Sequence, residues 1–258
     1  MTINGKNYRD MVDINPDQFW KLFKSIRTYV TASPSPGEFM NFFQEAGRTS
    51  DDIIFISASR QLSAIYQSAS NAREMLRAEN PGLNIEVIDS KHAAGSMGFI
   101  VIEAARAAAA GKTASEVIQA VQNMIGRVKS ICGMDTLKYL IRSGRAPKKA
   151  YIGELLGVKP LIGMVSGTGL TDSLGTIRGK KRCFQRLIDM IAEYTDTSMP
   201  LHVIVQYTNS LQDGQKLAQM IKDRYNCAEL YIIPYSPVIS GHSGPINSIS
   251  FYSQILQE

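Results

Sequence analysis

Apolar residues recur along this chain at two spacings: helical intervals in some stretches, short unbroken runs in others. Asn15-Pro16-Asp17-Gln18 offers an N-cap, a first-turn proline and a capping-box glutamine ahead of Phe19, Trp20, Leu22 and Phe23, which predicts a helix. Ser35-Pro36-Gly37-Glu38 repeats the device before Phe39, Phe42 and Phe43. Ile53–Ser57 and Ile85–Asp89 have the pattern of short buried strands, and a helix from about Leu62 to Arg77 separates them. Asp89-Ser90-Lys91 leads into an Ala-rich helix that stops at Gly111, with Asp89-Ser90 as its expected cap. Thr113-Ala114-Ser115-Glu116 caps a further helix carrying Val117, Ile118, Val121, Met124 and Ile125 at helical spacing.

Beyond about Arg127 the apolar segments shorten and glycines enter between them. Val128–Met134, Lys159–Val165 and Leu170–Leu174 predict strands joined by turns. A helix around Cys183–Tyr194, a strand at Leu201–Tyr207, a helix from Ser210 to Tyr225 and a last buried strand at Leu230–Pro234 complete the pattern. The order predicts an α/β protein of two domains, residues 1–126 and 127–258. Helices separate the strands of the first domain, so its sheet is expected to be mainly parallel; the second is expected to hold a mixed sheet with helices.

Composition adds bounds. The 258 residues are 44% apolar and 20% charged, as in an ordinary globular protein. A net charge of +5 is too small to imply nucleic acid. Basic residues gather between Arg142 and Lys149 and between Arg178 and Arg186, as solvated faces or as a docking surface for an acidic partner. Cys132, Cys183 and Cys227 are too few and scattered for a disulfide framework or a metal site, which suits a reducing compartment. The longest apolar helix candidate, Ala93–Ala110, is interrupted by Glu103 and Arg106 and does not span a membrane. A cytoplasmic protein is the expectation.

Candidate chemistry sits at turns. Three hydroxyl clusters follow or precede predicted strands and helices: Thr31-Ala32-Ser33-Pro34-Ser35, Ser57-Ala58-Ser59-Arg60-Gln61-Leu62-Ser63, and Asp89-Ser90. Such turns line the crevice beyond the carboxyl ends of parallel strands, where helix N-termini favour anions. Ser35 is explained as an N-cap, whereas Thr31 is not needed for that cap; Ser63 has a backbone-bonding role open to it as well as a ligand role. Ser240-Gly241-His242-Ser243-Gly244-Pro245 sets one of only three histidines among glycines. It reads equally as a turn and as a site, because an imidazole that donates and accepts suits a carboxylate or phosphate. No phosphate-binding glycine loop, dinucleotide fingerprint or nucleophile elbow is present, and His92 and His202 lack metal-ligand spacing.

Further segments stand in a telling order. Gly5-Lys6-Asn7-Tyr8-Arg9-Asp10-Met11-Val12-Asp13 is followed by Thr31 to Phe39, then Leu62-Ser63-Ala64-Ile65-Tyr66-Gln67-Ser68-Ala69 and Asp89-Ser90. Asp135-Thr136-Leu137-Lys138-Tyr139-Leu140, Ser143-Gly144-Arg145, Lys159-Pro160, Ile177-Arg178 and His242-Ser243-Gly244-Pro245 come next. The set resembles, over nearly the whole chain, the DegV family of bacterial fatty-acid-binding proteins, which includes the FakB-type subunits of fatty acid kinase. The resemblance implies two α/β domains with an acyl chain buried between them and its carboxylate at the interdomain mouth. It implies that Thr31 and Ser63 bind the carboxylate and that His242 lies in the same head-group region. It associates Arg145 and Arg178 with the anionic head or with kinase docking; Ser59 and Arg60 are further candidates for those roles. It implies no catalysis and no cofactor. The bound long-chain fatty acid would instead be presented to the catalytic subunit of a fatty acid kinase, which makes an acyl phosphate for phospholipid synthesis. No nucleic acid or integral membrane association is implied, and the oligomeric state is left open.

Three departures accompany the resemblance. The family's usual opening strand and Asp-Ser turn do not precede Gly5, so either the chain is truncated or its first sheet closes differently; an unpaired edge would invite another chain. The usual Ser-Ser-Gly-Leu-Ser-Gly-Thr is Ser59-Arg60-Gln61-Leu62-Ser63-Ala64-Ile65, and Ile246 follows Pro245 where glycine is usual. Two alternatives stay open beside the binding role. One is a hydrolase or transferase using Ser63 or Ser59 with His242; the other is a degenerate member serving only in protein interaction.

Overall fold

The computed structural model describes residues 1–147 and 158–253. Packing divides the chain into two units, Met1–Thr31 with Val128–Ser166 and Thr171 onward, and Ala32–Arg127 with Gly167–Leu170. The expected partition at 126/127 put Met1–Thr31 in the first domain; the packing groups it with the C-terminal segment instead. Its apolar residues explain why: they join a cluster that includes Tyr29, whose hydroxyl reaches the carbonyls of Pro237 and Val238.

The N-terminal segment holds β1 (Thr2–Ile3), β2 (Lys6–Asn7), α1 (Pro16–Leu22) and β3 (Tyr29–Val30), with β1 antiparallel to both short strands. The predicted cap of α1 is present: Asn15 Oδ1 accepts from the Gln18 N–H and the Gln18 side chain accepts from the Asn15 N–H. This closes two of the donors a helix start leaves open. Phe19, fully buried, packs with Ile3 and Ile14 beneath Trp20, Phe23 and Tyr29.

The second unit runs α2 (Pro36–Ala46), β4 (Asp52–Ser57), α3 (Ile65–Glu79), β5 (Asn84–Asp89), α4 (Ala94–Ala109) and α5 (Ala114–Arg127). β4 and β5 pair in parallel from Asp52↔Asn84 to Ser57↔Asp89, the geometry that an intervening helix requires. Ser35 and Glu38 form the expected capping box of α2. Phe39 and Phe43 of α2 pack with Phe55, Ile65, Leu76 and Val87 into a cluster. Phe39 is buried in this core, and Phe55 and Ile65 pack against it partly buried. Asp89-Ser90 does not cap α4, whose N-cap is Ala93 without a side-chain bond. Asp89 instead accepts from the N–H groups of Arg60 and Lys91, and Ser90 closes a turn on His92. Competing local turn bonds shift the helix start.

The rest of the first unit is β6 (Lys129–Met134), α6 (Lys138–Arg142), β7 (Val158–Met164), β8 (Asp172–Arg178), α7 (Lys180–Tyr194), β9 (Leu201–Tyr207), α8 (Leu211–Lys222), β10 (Cys227–Pro234), α9 (Pro237–Ser243) and β11 (Ile246–Ser253). The six strands form one mixed sheet, ordered β10-β9-β11-β6-β7-β8. Only β9 and β10 run parallel within it. Period-2 alternation puts Leu201, Val203 and Val205 of β9 with Ile249 and Phe251 of β11 on one face, packed against Leu187, Ile191, Leu217 and Ile221 of α7 and α8. β11 was not foreseen. It occupies the middle of the sheet, and Ile246, 6% exposed, opens it in register with Met134. Lys148 and Lys149 of the first basic run lie outside the described residues.

Candidate functional site

Extended backbone sends alternate side chains to the same side, so Tyr29 and Thr31 share a direction while Val30 is exposed. Both reach His242 of α9. Thr31 Oγ1 lies 2.8 Å from His242 Nε2, and the Tyr29 ring meets the imidazole edge to face at 5.2 Å between centroids. Arg145 Nη1 donates to His242 Nδ1 at 3.3 Å. The imidazole therefore has a protein partner on each ring nitrogen. Burial, with the charges of Arg145 and Arg142 behind it, pulls the His242 pKa down to about 4, so the ring is neutral at physiological pH.

The segment around His242 is a short helix rather than an irregular turn. Pro237 starts it, the Asp10 carboxylate accepts the Val238 N–H near its N-terminus, and Gly244 ends it at φ +67 with its N–H on the Ser240 carbonyl. The glycines serve packing. A Cβ on Gly241 would stand 2.1 Å from Tyr29 Cζ, and one on Gly244 would stand 2.2 Å from Tyr139 Cδ2. Tyr29 thus packs on the histidine while Asp10 and Tyr139 hold the helix that carries it, and none was singled out from the sequence as a site residue. Asp10 and Tyr139 lie in the family-like segments, and Tyr29 lies two residues before Thr31; only tertiary contact reveals their use.

Arg145 is placed by the end of α6. Gly144 takes φ +71, the Arg145 N–H bonds the Leu140 carbonyl, and Thr171 Oγ1 donates to the Arg145 carbonyl at 2.9 Å. Arg178 belongs to no such arrangement. It is exposed at the end of β8, followed by exposed Lys180, Lys181 and Arg182 in the first turn of α7, which carries no acid there.

Ser63, Ser59 and Arg60 lie in the other unit, in the turn between β4 and α3. Ser63 Oγ accepts the Ile65 N–H at 3.3 Å, and its own proton meets no protein acceptor among the described residues. Ser59 is fully buried and donates to the Gly169 carbonyl at 2.6 Å while accepting the Gln61 N–H. Its proton is engaged by that carbonyl. Arg60 pairs with Asp89 at 3.4 Å from a largely exposed position. Surface hollows of about 620 Å³, lined by Lys222 to Leu230, and about 490 Å³, among residues of β4, β5, α3 and α5, include none of Thr31, Ser63 or His242. Among the described residues no cluster suits a metal ion, and no helix is long and apolar enough to cross a membrane.

A threonine hydroxyl, a neutral imidazole and a guanidinium meet in the unit that carries the mixed sheet, and together they equip an α/β protein to hydrogen-bond an anion. Comparison with known proteins places it further. The family model described as "Uncharacterised protein, DegV family" matches residues 1–254, and the chain belongs to the DegV family. A DegV domain-containing protein of Streptococcus pyogenes is 32% identical over 233 residues, covering 90% of this chain and 80% of the relative. The structure of a DegV family protein from Thermus thermophilus, described by its fatty acid binding, superposes with a TM-score of 0.88 at 23% identity, over 98% of this chain and 89% of that one. A DegV family protein from Ruminococcus gnavus, solved with vaccenic acid, gives a TM-score of 0.88 at 19% identity, over 97% and 88%. These likenesses establish the expected α/β fold.

Proposed function

We propose that this protein binds a long-chain fatty acid through its carboxylate and presents it to the catalytic subunit of a fatty acid kinase. The observation that carries the binding role is the Thr31–His242–Arg145 cluster in a DegV chain, supported by the fatty acids named for its structural relatives. Ser63 keeps a hydroxyl proton that no described protein group accepts, and the Thr31 hydroxyl shares a hydrogen bond with His242 Nε2. Charge-assisted bonds from such donors hold a carboxylate without a buried countercharge. Burying the alkyl chain contributes roughly 0.8 kcal/mol per methylene.

The presenting role is supported by the basic run Arg178, Lys180, Lys181 and Arg182. Cations in the first turn of a helix oppose its dipole, at a cost of about 0.3–1 kcal/mol each, and an acidic partner surface would offset it. The hydrolase reading is disfavoured by the same geometry. A general-base histidine is oriented by a carboxylate on its second nitrogen, and His242 has a guanidinium there.

Isothermal titration of the delipidated protein with oleate and palmitate tests the binding role. The Thr31→Val variant is expected to bind about 10–100-fold more weakly, the loss of one charge-assisted hydrogen bond of about 1.5–3 kcal/mol. Failure of the wild-type protein to bind either acid would overturn the reading.

A further inference from the structure

The direction of every proton in the cluster follows from one group. Arg145 offers only donors and does not lose its proton in a protein. Its Nη1 faces His242 Nδ1 at 3.3 Å, so Nδ1 has to be the unprotonated, accepting nitrogen. A neutral imidazole carries one proton, and it is then on Nε2. Nε2–H points at Thr31 Oγ1, 2.8 Å away, which therefore accepts. Thr31 spends a lone pair on the ring and keeps its O–H for an outside acceptor. The opposite tautomer would set an N–H against the guanidinium and let Thr31 give its proton to the ring.

We infer that Arg145 is a positioning residue that locks His242 in the Nε2–H tautomer and thereby makes the Thr31 hydroxyl a donor to the ligand. This rests on the fatty-acid reading for the identity of the ligand, but the proton order itself does not. It also gives Arg145 a place distinct from Arg178: the guanidinium acts behind the imidazole instead of touching the head group or a partner protein. The site is built for this task. The Arg145 backbone is held by the Leu140 carbonyl and Thr171, and Nη1 is steadied by the Ser143 carbonyl at 3.1 Å. The other end of the relay is fixed by Tyr29, whose ring meets the imidazole and whose hydroxyl bonds the Pro237 and Val238 carbonyls of α9. A chain of donors that ends in a free O–H selects a full acceptor such as a carboxylate over a ligand group that can only donate.

The experiment is long-range ¹H–¹⁵N NMR on ligand-free protein labelled at histidine, at pH 7, with the His242→Gln variant supplying the assignment. The wild type should show Nδ1 unprotonated and Nε2 protonated. Arg145→Glu places an acceptor opposite Nδ1 and should move the proton to that nitrogen, with oleate affinity falling more than tenfold. Arg145→Lys restores a donor and should return both the tautomer and an affinity within about threefold of wild type. A merely structural arginine would not switch the nitrogen. Wild-type protein that binds oleate with Nδ1 protonated overturns the inference and leaves the fatty-acid reading standing. Wild-type protein that holds the Nε2–H tautomer but binds no fatty acid overturns that reading and leaves the proton order standing. If Arg145→Glu does not fold, as judged by Trp20 fluorescence, the wild-type spectrum and Arg145→Lys still decide the matter.

Discussion

Acidification should weaken the unit that carries His242 in a window set by that one ring. In the unfolded chain this histidine takes up a proton near its ordinary value of 6.5, and in the folded protein only near 4. Between those values the unfolded state binds more protons, so the stability present above pH 6.5 is lost as pH falls toward 4. The cause is visible in the cluster: a protonated ring would be partly desolvated and would face the Arg145 guanidinium across 3.3 Å. By pH 5 the loss amounts to about 2 kcal/mol if the ring were wholly screened from water, and about 1 kcal/mol once its partial exposure is allowed for. The carboxylates whose bonds to neighbours hold their pKa low, Asp13 and Glu38 among them, remain ionised at pH 5 and add little in this window.

Trp20 is the single tryptophan and belongs to the same unit as His242, so its fluorescence reports unfolding where the titration acts. Guanidinium unfolding at pH 7 and pH 5 is to be compared between the wild type and His242→Gln, which cannot titrate. The comparison subtracts every contribution that the two proteins share. The wild type should lose about 1–2 kcal/mol more than the variant between the two pH values. Equal losses would refute the reasoning, and so would a His242 ring that charges near pH 6.5 by NMR.

Gly241→Ala drives a methyl into the Tyr29 ring, and thermal unfolding should show a loss of about 1–3 kcal/mol from overpacking, with fatty-acid affinity falling as the ring shifts. Lys181→Glu with Arg182→Glu should leave oleate affinity unchanged and raise stability by about 0.3–1 kcal/mol per charge, by better matching the α7 dipole. The same pair should abolish phosphorylation of the bound acid when a partner kinase and ATP are supplied; undiminished turnover would remove this face from docking. Ser35→Ala removes the side chain that caps α2 and should cost about 0.5–2 kcal/mol in unfolding experiments, without moving the tautomer of His242.

Local chemistry was legible wherever a residue acts on its own neighbours. Asn15 with Gln18, Ser35 with Glu38 and Thr113 with Glu116 close their boxes within four residues, so the starts of α1, α2 and α5 follow from sequence. The parallel pairing of β4 and β5 follows from the helix between them. β11 escaped notice because serines interrupt its apolar run, although Ile249 and Phe251 alternate with Ser248 and Ser250 as a strand should. Those serines are buried in the middle of a sheet, where Ser250 Oγ donates to Ser130 Oγ at 3.2 Å and Ser248 shares a hydrogen bond with the Tyr235 hydroxyl.

The sequence by itself determined the capped helices and the alternation of strands and helices that makes an α/β protein, because each depends on spacing within one segment. Tertiary structure alone decided that Met1–Thr31 sides with the C-terminal unit and that Gly241 exists to admit Tyr29. It alone decided that Arg145, 97 residues before His242 in sequence, sets the direction of its protons. A hydrogen bond has a direction only once both partners are in place. No spacing in a sequence encodes which nitrogen faces a guanidinium.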